Sequence, residues 1–89
     1  MPPIEISVYP NPFDSSITIE LICMEQENYI LLLADLKNSK IIRMLSAGLG
    51  KGLNTIPLGD LSSLHSGAYQ LDIKNSTGEL IYKTQLIKH

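Results

Sequence analysis

Hydrophobic and polar residues alternate with a period of two along most of this chain, which is the pattern of half-buried β-strands. The alternating segments are separated by clusters of proline, glycine, asparagine and serine, which are turn-forming residues. The predicted strands are residues 4–9, 17–23, 29–34, 41–45, 53–58, 69–74 and 80–88. Residues 29–34 do not alternate: they form a continuous apolar run that is too short for a confident helix, and we interpret it as a central strand. No convincing long helix is predicted, so the chain is expected to be all-β. Its about seven short strands predict an immunoglobulin-like antiparallel β-sandwich, without the tryptophan and disulfide of antibody domains.

The last two segments form a predicted β-hairpin. Tyr69, Leu71 and Ile73 share one face of its first strand. Residues 75–78 form the turn, because asparagine tolerates a left-handed backbone and glycine accepts a positive φ. The second strand carries apolar residues on both faces, so we expect it to lie inside a sheet. We also expect residues 86–89 to fray, or to pair with a partner, at little cost to the core.

Single residues outside the alternation add expectations about the core and the loops. Phe13 is the only phenylalanine and should be buried beneath the proline-rich turn that precedes it. Cys23 is the only cysteine, so it should pack inward without an internal disulfide. Asp60 is a possible N-cap for one helical turn. Residues 47–52 are rich in glycine, but they lack the Gly-Lys-Ser/Thr ending of a phosphate-binding loop and open no helix.

Composition and charge indicate one globular domain. The 89 residues are 44% hydrophobic and 18% charged, which is typical of a folded chain rather than a disordered tail. The net charge is −2 and the lysines are scattered singly, so no basic stripe exists to bind nucleic acid. No run of about 18 apolar residues occurs, so we expect no transmembrane segment. A signal peptide is not encoded either, so an exported protein would contain this chain as a fragment.

Residue types used by hydrolases and metal sites are present, but they are not arranged for chemistry. His65 lies near Asp60 and Ser62 in one short loop. Because a catalytic triad is assembled from separate elements beside an oxyanion hole, we interpret these as solvated loop residues. The potential metal ligands lack the short spacing of a zinc site, and the loop aspartates are interpreted as turn formers. We therefore expect no catalytic residues, no metal site and no cofactor.

Two short motifs at opposite ends of the sequence carry a resemblance to a known family. Tyr9-Pro10-Asn11-Pro12 follows the first strand, and Ser66-Gly67-Ala68-Tyr69 opens the hairpin that ends in Leu86-Ile87-Lys88-His89. Over about its whole length, the chain resembles the type A C-terminal sorting domain of the type IX secretion system. The resemblance implies an immunoglobulin-like β-sandwich of about seven strands at the C-terminus of an exported protein in Bacteroidetes-type bacteria.

The resemblance also implies a function and partners. Such a domain directs its N-terminal cargo through the periplasm and across the outer membrane. The outer-membrane translocon recognises it, and a sortase-type cysteine peptidase usually removes it, after which the cargo is attached to the cell surface or released. The domain would then be a substrate and an address label, not an enzyme. Residues 1–3 would end the linker from the cargo, and residues 4–89 would form the sorting domain.

Recognition roles are expected for residues of both motifs and of the terminal strand. They are Tyr9, Pro10, Asn11, Pro12, Gly67, Tyr69, Gly78, Lys83, Leu86 and Lys88. Lys83 and Lys88 are the best candidates for direct contact, since a charge on an apolar strand adds little stability, although such a lysine can also guard an edge against aggregation. The chain departs from the family at Gln85, where a lysine is common, and at His89, which follows the usual final lysine.

Two other functions stay open at this point. One is an adhesive or carbohydrate-binding β-sandwich module appended to an enzyme, which needs an aromatic platform. That platform is hard to build from four tyrosines without tryptophan. The other is a structural spacer, which would tolerate the loss of its last residues without any loss of export.

Overall fold

Seven strands in two antiparallel sheets make up the part of the chain that the computed structural model describes, which is Pro3 and residues 5–89. The strands are β1 (Glu5–Tyr9), β2 (Ile17–Cys23), β3 (Glu27–Asp35), β4 (Lys40–Leu49), β5 (Gly52–Leu58), β6 (Gly67–Asn75) and β7 (Leu80–Lys88). The predicted all-β sandwich is confirmed. Nothing in this part of the chain forms a helix that could span a bilayer. The predicted first strand residue Ile4, and Met1 and Pro2 of the predicted linker, lie outside the described residues.

The core lies between sheets of strand order β1-β2-β5 and β4-β3-β6-β7. Alternate residues of the central strands β2, β3 and β6 point into it, as the period of two predicts. Its largest fully buried side chains are Tyr29, Tyr69, Phe13, Ile17, Ile19, Leu21, Leu31, Leu33, Leu61, Leu71, Ile73 and Leu86. The expected burial of Phe13 and Cys23 is confirmed.

Strand β4 is longer than the alternation predicts. It continues as far as Leu49, which lies opposite Glu27 in β3, so part of the glycine-rich segment is strand rather than connection. A Cβ added at Gly48 would lie 3.2 Å from the side-chain oxygen of Asn28. The small residue therefore suits the close approach of the two strands at this point.

Strand β7 is an edge strand, so the prediction that it lies inside a sheet is wrong. Leu80 and Ile87 on this strand are 46% and 41% exposed. The register with β6 shifts between Ile73 and Lys74, which marks a β-bulge. The apolar residues on the second face of β7 are partly exposed, and they do not require a neighbouring strand on each edge.

The loop between β5 and β6 contains a tight turn, and the predicted helical turn is wrong. Asp60 has a φ of 57°, which is not the extended conformation of an N-cap residue. The Leu64 N–H donates to the carbonyl of Leu61 at 3.1 Å. The side chain of Leu61 is fully buried, so it anchors this loop against the core.

Candidate recognition site

One end of the sandwich, which we call the β7 end, is formed by residues 10–16, 36–39 and 59–66 together with His89. Antiparallel pairing brings these segments together, because the start of β6 lies opposite both the end of β3 and the end of β7. Most predicted site residues lie at this end: Tyr9, Pro10, Asn11, Pro12, Gly67, Tyr69, Leu86 and Lys88. Lys83 is exposed farther along β7, and Gly78 lies in the turn at the opposite end.

The segment of residues 11–13 lies against the edge of β7 as a short strand would. The Asn11 side-chain Nδ2 donates to the Gln85 carbonyl at 3.1 Å, and its Oδ1 accepts from the Ile87 N–H at 2.9 Å. The Phe13 N–H donates to the Ile87 carbonyl at 2.8 Å, and the His89 N–H donates to the Phe13 carbonyl at 3.0 Å. Phe13 and Lys88 form a parallel bridge. The early motif is therefore the neighbour of the terminal strand.

This contact contradicts the expectation that residues 86–89 fray at little cost. Leu86 and Lys88 are only 1% and 8% exposed, because both share the inward face of β7. Lys88 cannot be the exposed contact charge that the sequence suggested. Its stem is buried and its Nζ donates to the His89 carbonyl at 3.1 Å, as a long amphipathic side chain allows. Lys83, in contrast, is exposed.

Gly67 and Tyr69 shape the start of β6. Gly67 has a φ of 149°, and a Cβ at this position would lie 3.5 Å from the His65 ring. The Tyr69 hydroxyl donates to the His65 carbonyl at 2.7 Å, an arrangement similar to the tyrosine corner of immunoglobulin-like domains. The Tyr69 ring meets Phe13 edge to face at 6.0 Å, and burial raises the pKa of its hydroxyl. Gly67 and Tyr69 therefore both stabilise the structure of the β7 end.

An ion pair between Asp35 and His65 was not expected from the sequence. Nε2 of His65 lies 2.5 Å from Oδ2 of Asp35, whose side chain is 6% exposed, and Nδ1 lies 2.8 Å from the Ser66 carbonyl. Both partners of the ring are acceptors, so the geometry suits the doubly protonated imidazolium. The bond from His65 lowers the pKa of Asp35, and the Ser66 carbonyl and Asp35 raise the pKa of His65.

The same geometry decides against a catalytic histidine. Because both ring nitrogens of His65 are engaged, neither is left to take a proton from a serine hydroxyl. The pair instead ties the 59–66 loop to the end of β3. The sequence offered only one signal for it, which is that Asp35 and His65 border strands that pair at the same end of the sheet. His65 is exposed, as expected of a solvated loop residue, but its ring is bound to Asp35, which the sequence did not predict.

Gly78 has a local role at the opposite end of the molecule. Its φ of 87° lies in the left-handed region that favours glycine. The Asn75 side-chain oxygen accepts from the N–H groups of Thr77 at 3.1 Å and Glu79 at 2.9 Å. This closes the predicted turn of the terminal hairpin, at a distance from the other site residues.

Comparisons with known proteins identify a family and a fold. A family model described as secretion system C-terminal sorting domain matches residues 7–88. Among solved structures, selenomethionine-labelled β-glucosidase from Kluyveromyces marxianus is similar with a TM-score of 0.60 and 10% sequence identity. The match covers 98% of this chain and only 14% of the glucosidase chain, and at that identity it shows the fold alone. No curated protein matched the sequence.

Proposed function

Because this chain belongs to the C-terminal sorting domain family of the type IX secretion system, we propose that the β7 end is the part of the signal that the outer-membrane translocon reads. Family membership makes the chain a sorting signal for export to the cell surface or the extracellular space. Families of this kind are signals rather than catalysts, and we propose that this chain has no enzymatic activity.

The single observation that supports a reading at the β7 end is the contact between the two motifs. Asn11 is 74 residues from Gln85 and 76 from Ile87 in sequence, yet its side chain bonds to the backbone of both. A receptor that binds at this position could therefore contact the early motif and the terminal strand at the same time. We call the contact between Asn11 and the end of β7 the joint. The residues of the early motif are exposed beside it: Tyr9, Pro10, Asn11 and Pro12.

The predicted site residues fall into two groups in this proposal. Tyr9, Pro10, Asn11, Pro12 and Lys83 are exposed and available to a receptor. Gly67, Tyr69, Leu86 and Lys88 hold the terminal strand and its neighbouring loop in place, and Gly78 shapes the hairpin turn. The two groups should respond differently to mutation. Substitutions in the first group should reduce export with at most a modest loss of stability, whereas substitutions in the second group should reduce both export and stability.

The remaining partners and boundaries follow from the family and stay proposals. The domain would be removed from its cargo by a sortase-type cysteine peptidase, with residues 1–3 ending the linker and residues 4–89 forming the domain. The carbohydrate-binding alternative is not favoured by the family match. Tyr29 and Tyr69 are also buried, which leaves only two of the four tyrosines for an aromatic platform.

The proposal is tested by fusing the chain to a reporter cargo that carries its own signal peptide, in a bacterium with a type IX system. Asn11→Ala should lower the amount of cargo at the cell surface several-fold and raise the periplasmic amount. The matched control is Thr77→Ala, since Thr77 is an exposed turn residue at the opposite end of the molecule, with one local side-chain bond to Asn75. That variant should be delivered normally.

Two readouts separate the possible failures. A melting curve of each purified domain reports whether folding is intact. Normal delivery of Asn11→Ala would contradict reading at the β7 end, and so would equal loss of delivery with Thr77→Ala at the opposite end. Retention of the unmutated fusion in the periplasm would contradict the sorting function of this chain itself.

A further inference from the structure

The outer face of the central strand β3 is apolar, although no second layer formed by residue 3 or residues 5–89 covers it. Ile30, Leu32 and Ala34 alternate with the core residues of β3 and are half-buried on this outer face. On an antiparallel sheet with one face toward water, these positions are normally polar. β3 therefore carries apolar side chains on both faces, which its role in the sandwich core does not explain.

The neighbouring strand β4 extends this apolar surface. Met44 lies directly opposite Leu32, and Ile41 lies directly opposite Ala34. Directly paired residues of neighbouring strands point to the same face of a sheet. Met44 is 70% exposed and Ile41 is 56% exposed. These five residues, Ile30, Leu32, Ala34, Ile41 and Met44, are called the outer β3–β4 patch below.

Lysines border the outer β3–β4 patch on the same face of the sheet. Lys74 lies opposite Ile30, and Lys83 completes the row that runs from Met44 through Leu32 and Asp72. Asp72 is the acidic residue among the described strand positions of this face, and its carboxylate accepts a bond from Gln70 at 2.9 Å. The face thus carries two cations to one anion, although the chain as a whole has a net charge of −2.

We infer that the outer β3–β4 patch, with Lys74 and Lys83 at its border, is a docking surface for a receptor protein at the outer membrane. This inference rests on the proposed sorting function. It gives the domain a second contact surface, separate from the β7 end. Contiguous exposed apolar surface with a polar border marks interaction sites. Charge complementarity indicates a partner that presents an apolar surface bordered by acidic side chains. A second copy of this chain fits less well, because packing patch against patch would bring together two faces that each carry two lysines and one aspartate.

The test compares two exposed apolar residues on edge strands of opposite sheets. Met44→Glu should reduce surface delivery of the reporter cargo by about tenfold or more, since it places an anion against an acidic partner. Met44→Lys should reduce it less. Leu53→Glu is the matched control, because Leu53 is 64% exposed on β5 of the other sheet. It should be delivered like the unmutated chain, and all three variants should keep the melting temperature.

A photoreactive amino acid then identifies the occupant of the patch. Placed at position 44 it should form an adduct with an outer-membrane component of the export machinery, identified by mass spectrometry, whereas at position 53 it should not. Combined Lys74→Glu and Lys83→Glu should abolish that adduct. Delivery of Met44→Glu at the normal level, or equal loss with Leu53→Glu, would overturn the inference while leaving the sorting function intact.

The other possible occupants are separate outcomes of the same test. Sedimentation equilibrium that shows a dimer disrupted by Met44→Glu would overturn the receptor and indicate self-association. Binding of the purified domain to anionic lipid vesicles that is lost in Met44→Glu would indicate a lipid surface instead. A monomer that does not bind vesicles is expected.

Discussion

At the scale of single residues, Tyr69 links the early part of the chain to the terminal hairpin. Its ring is fully buried and contacts Phe13, while its hydroxyl bonds to the carbonyl of His65. Burial of the ring and hydrogen bonding of the hydroxyl contribute separately to the free energy of unfolding. They can be removed one at a time by substitution.

Tyr69→Ala should lower the free energy of unfolding by about 3 kcal/mol or more, because it leaves a cavity in the core. Tyr69→Phe should lower it by about 1 kcal/mol, since it removes only one hydrogen bond. Urea denaturation of the purified domain measures both. Tyr9→Ala is the control, because Tyr9 is 45% exposed and its loss should change stability by only about 0.5 kcal/mol. A similar small effect of Tyr69→Ala would mean that the ring is exposed in solution.

The Asp35 and His65 pair should make stability depend on pH in a defined window. The raised pKa of His65 means that its contribution is full below the ordinary value of 6.5 and is lost as pH rises through the higher folded pKa. The lowered pKa of Asp35 means that its contribution is full above 3.8 and is lost as pH falls through the lower folded pKa. Lys37, near both groups, opposes the charge on His65 and favours the charge on Asp35.

His65→Gln should therefore lower the free energy of unfolding most between about pH 3.8 and pH 6.5, where both groups are charged in the folded protein. Its effect should fade at higher and at lower pH. Denaturant melts of the two proteins across the pH range measure the difference. The matched test is the same substitution in an Asp35→Asn background, where the loss of the difference at low pH should disappear and the loss at high pH should become smaller, because only the Ser66 carbonyl then raises the pKa of His65. A constant difference at all pH values would contradict an ion pair in solution.

At the scale of elements, β7 combines an inward face that holds the fold with an outward face that does not. Leu86 is 1% exposed and Ile87 is 41% exposed, although they are neighbours in the strand. The edge of β7 is closed at its end by Asn11 and Phe13 rather than by another full strand. In the proposed recognition, one face of β7 would stabilise the fold and the other would be available to a receptor.

Leu86→Ala should lower the free energy of unfolding by about 2 to 4 kcal/mol, whereas Ile87→Ala should lower it by less than about 1 kcal/mol. Deletion of residues 86–89 should destabilise at least as much as Leu86→Ala, because Phe13 also loses its backbone partners. Melting curves of the three variants check this. If the deleted domain melted like the complete one, the terminal strand would be dispensable for the fold.

The sequence predicted the elements well and their neighbours poorly, for a physical reason. Strand patterns are local properties, so all seven strands could be located from alternation or, as at residues 29–34, from a short apolar run bounded by turn residues. The bonds from Asn11 to the backbone of β7 join residues more than 70 positions apart, and no local pattern records them. Lys88 was misjudged in the same way, because its burial depends on the register with Gly67 and on Phe13 above it.

At the scale of the whole molecule, the first and last described segments are both integrated into the sheets. The start of β1 pairs with the end of β2, and the end of β7 pairs with the start of β6. The domain is 37 Å long, with β1 starting at one end and β7 finishing at the other. Each of the seven strands carries residues that belong to the core or pack against it.

The isolated chain should therefore unfold in one cooperative step. Far-ultraviolet circular dichroism, dominated by β-structure, and tyrosine fluorescence should give coincident transitions in urea. Two separate transitions, or a spectrum dominated by helix, would contradict a single cooperative sandwich. Asn11→Ala should shift the midpoint modestly and keep the two transitions coincident.

The joint between Asn11 and the end of β7 has a consequence for the timing of export. The contact between residues 11–13 and 85–89 can form only after nearly the whole domain has been synthesised and has folded. A chain that is truncated or still unfolded cannot display it, whatever motifs its sequence contains. A receptor that recognises this contact would therefore bind only chains whose sorting domain is complete and folded. Cargo attached to an unfinished domain would not be exported.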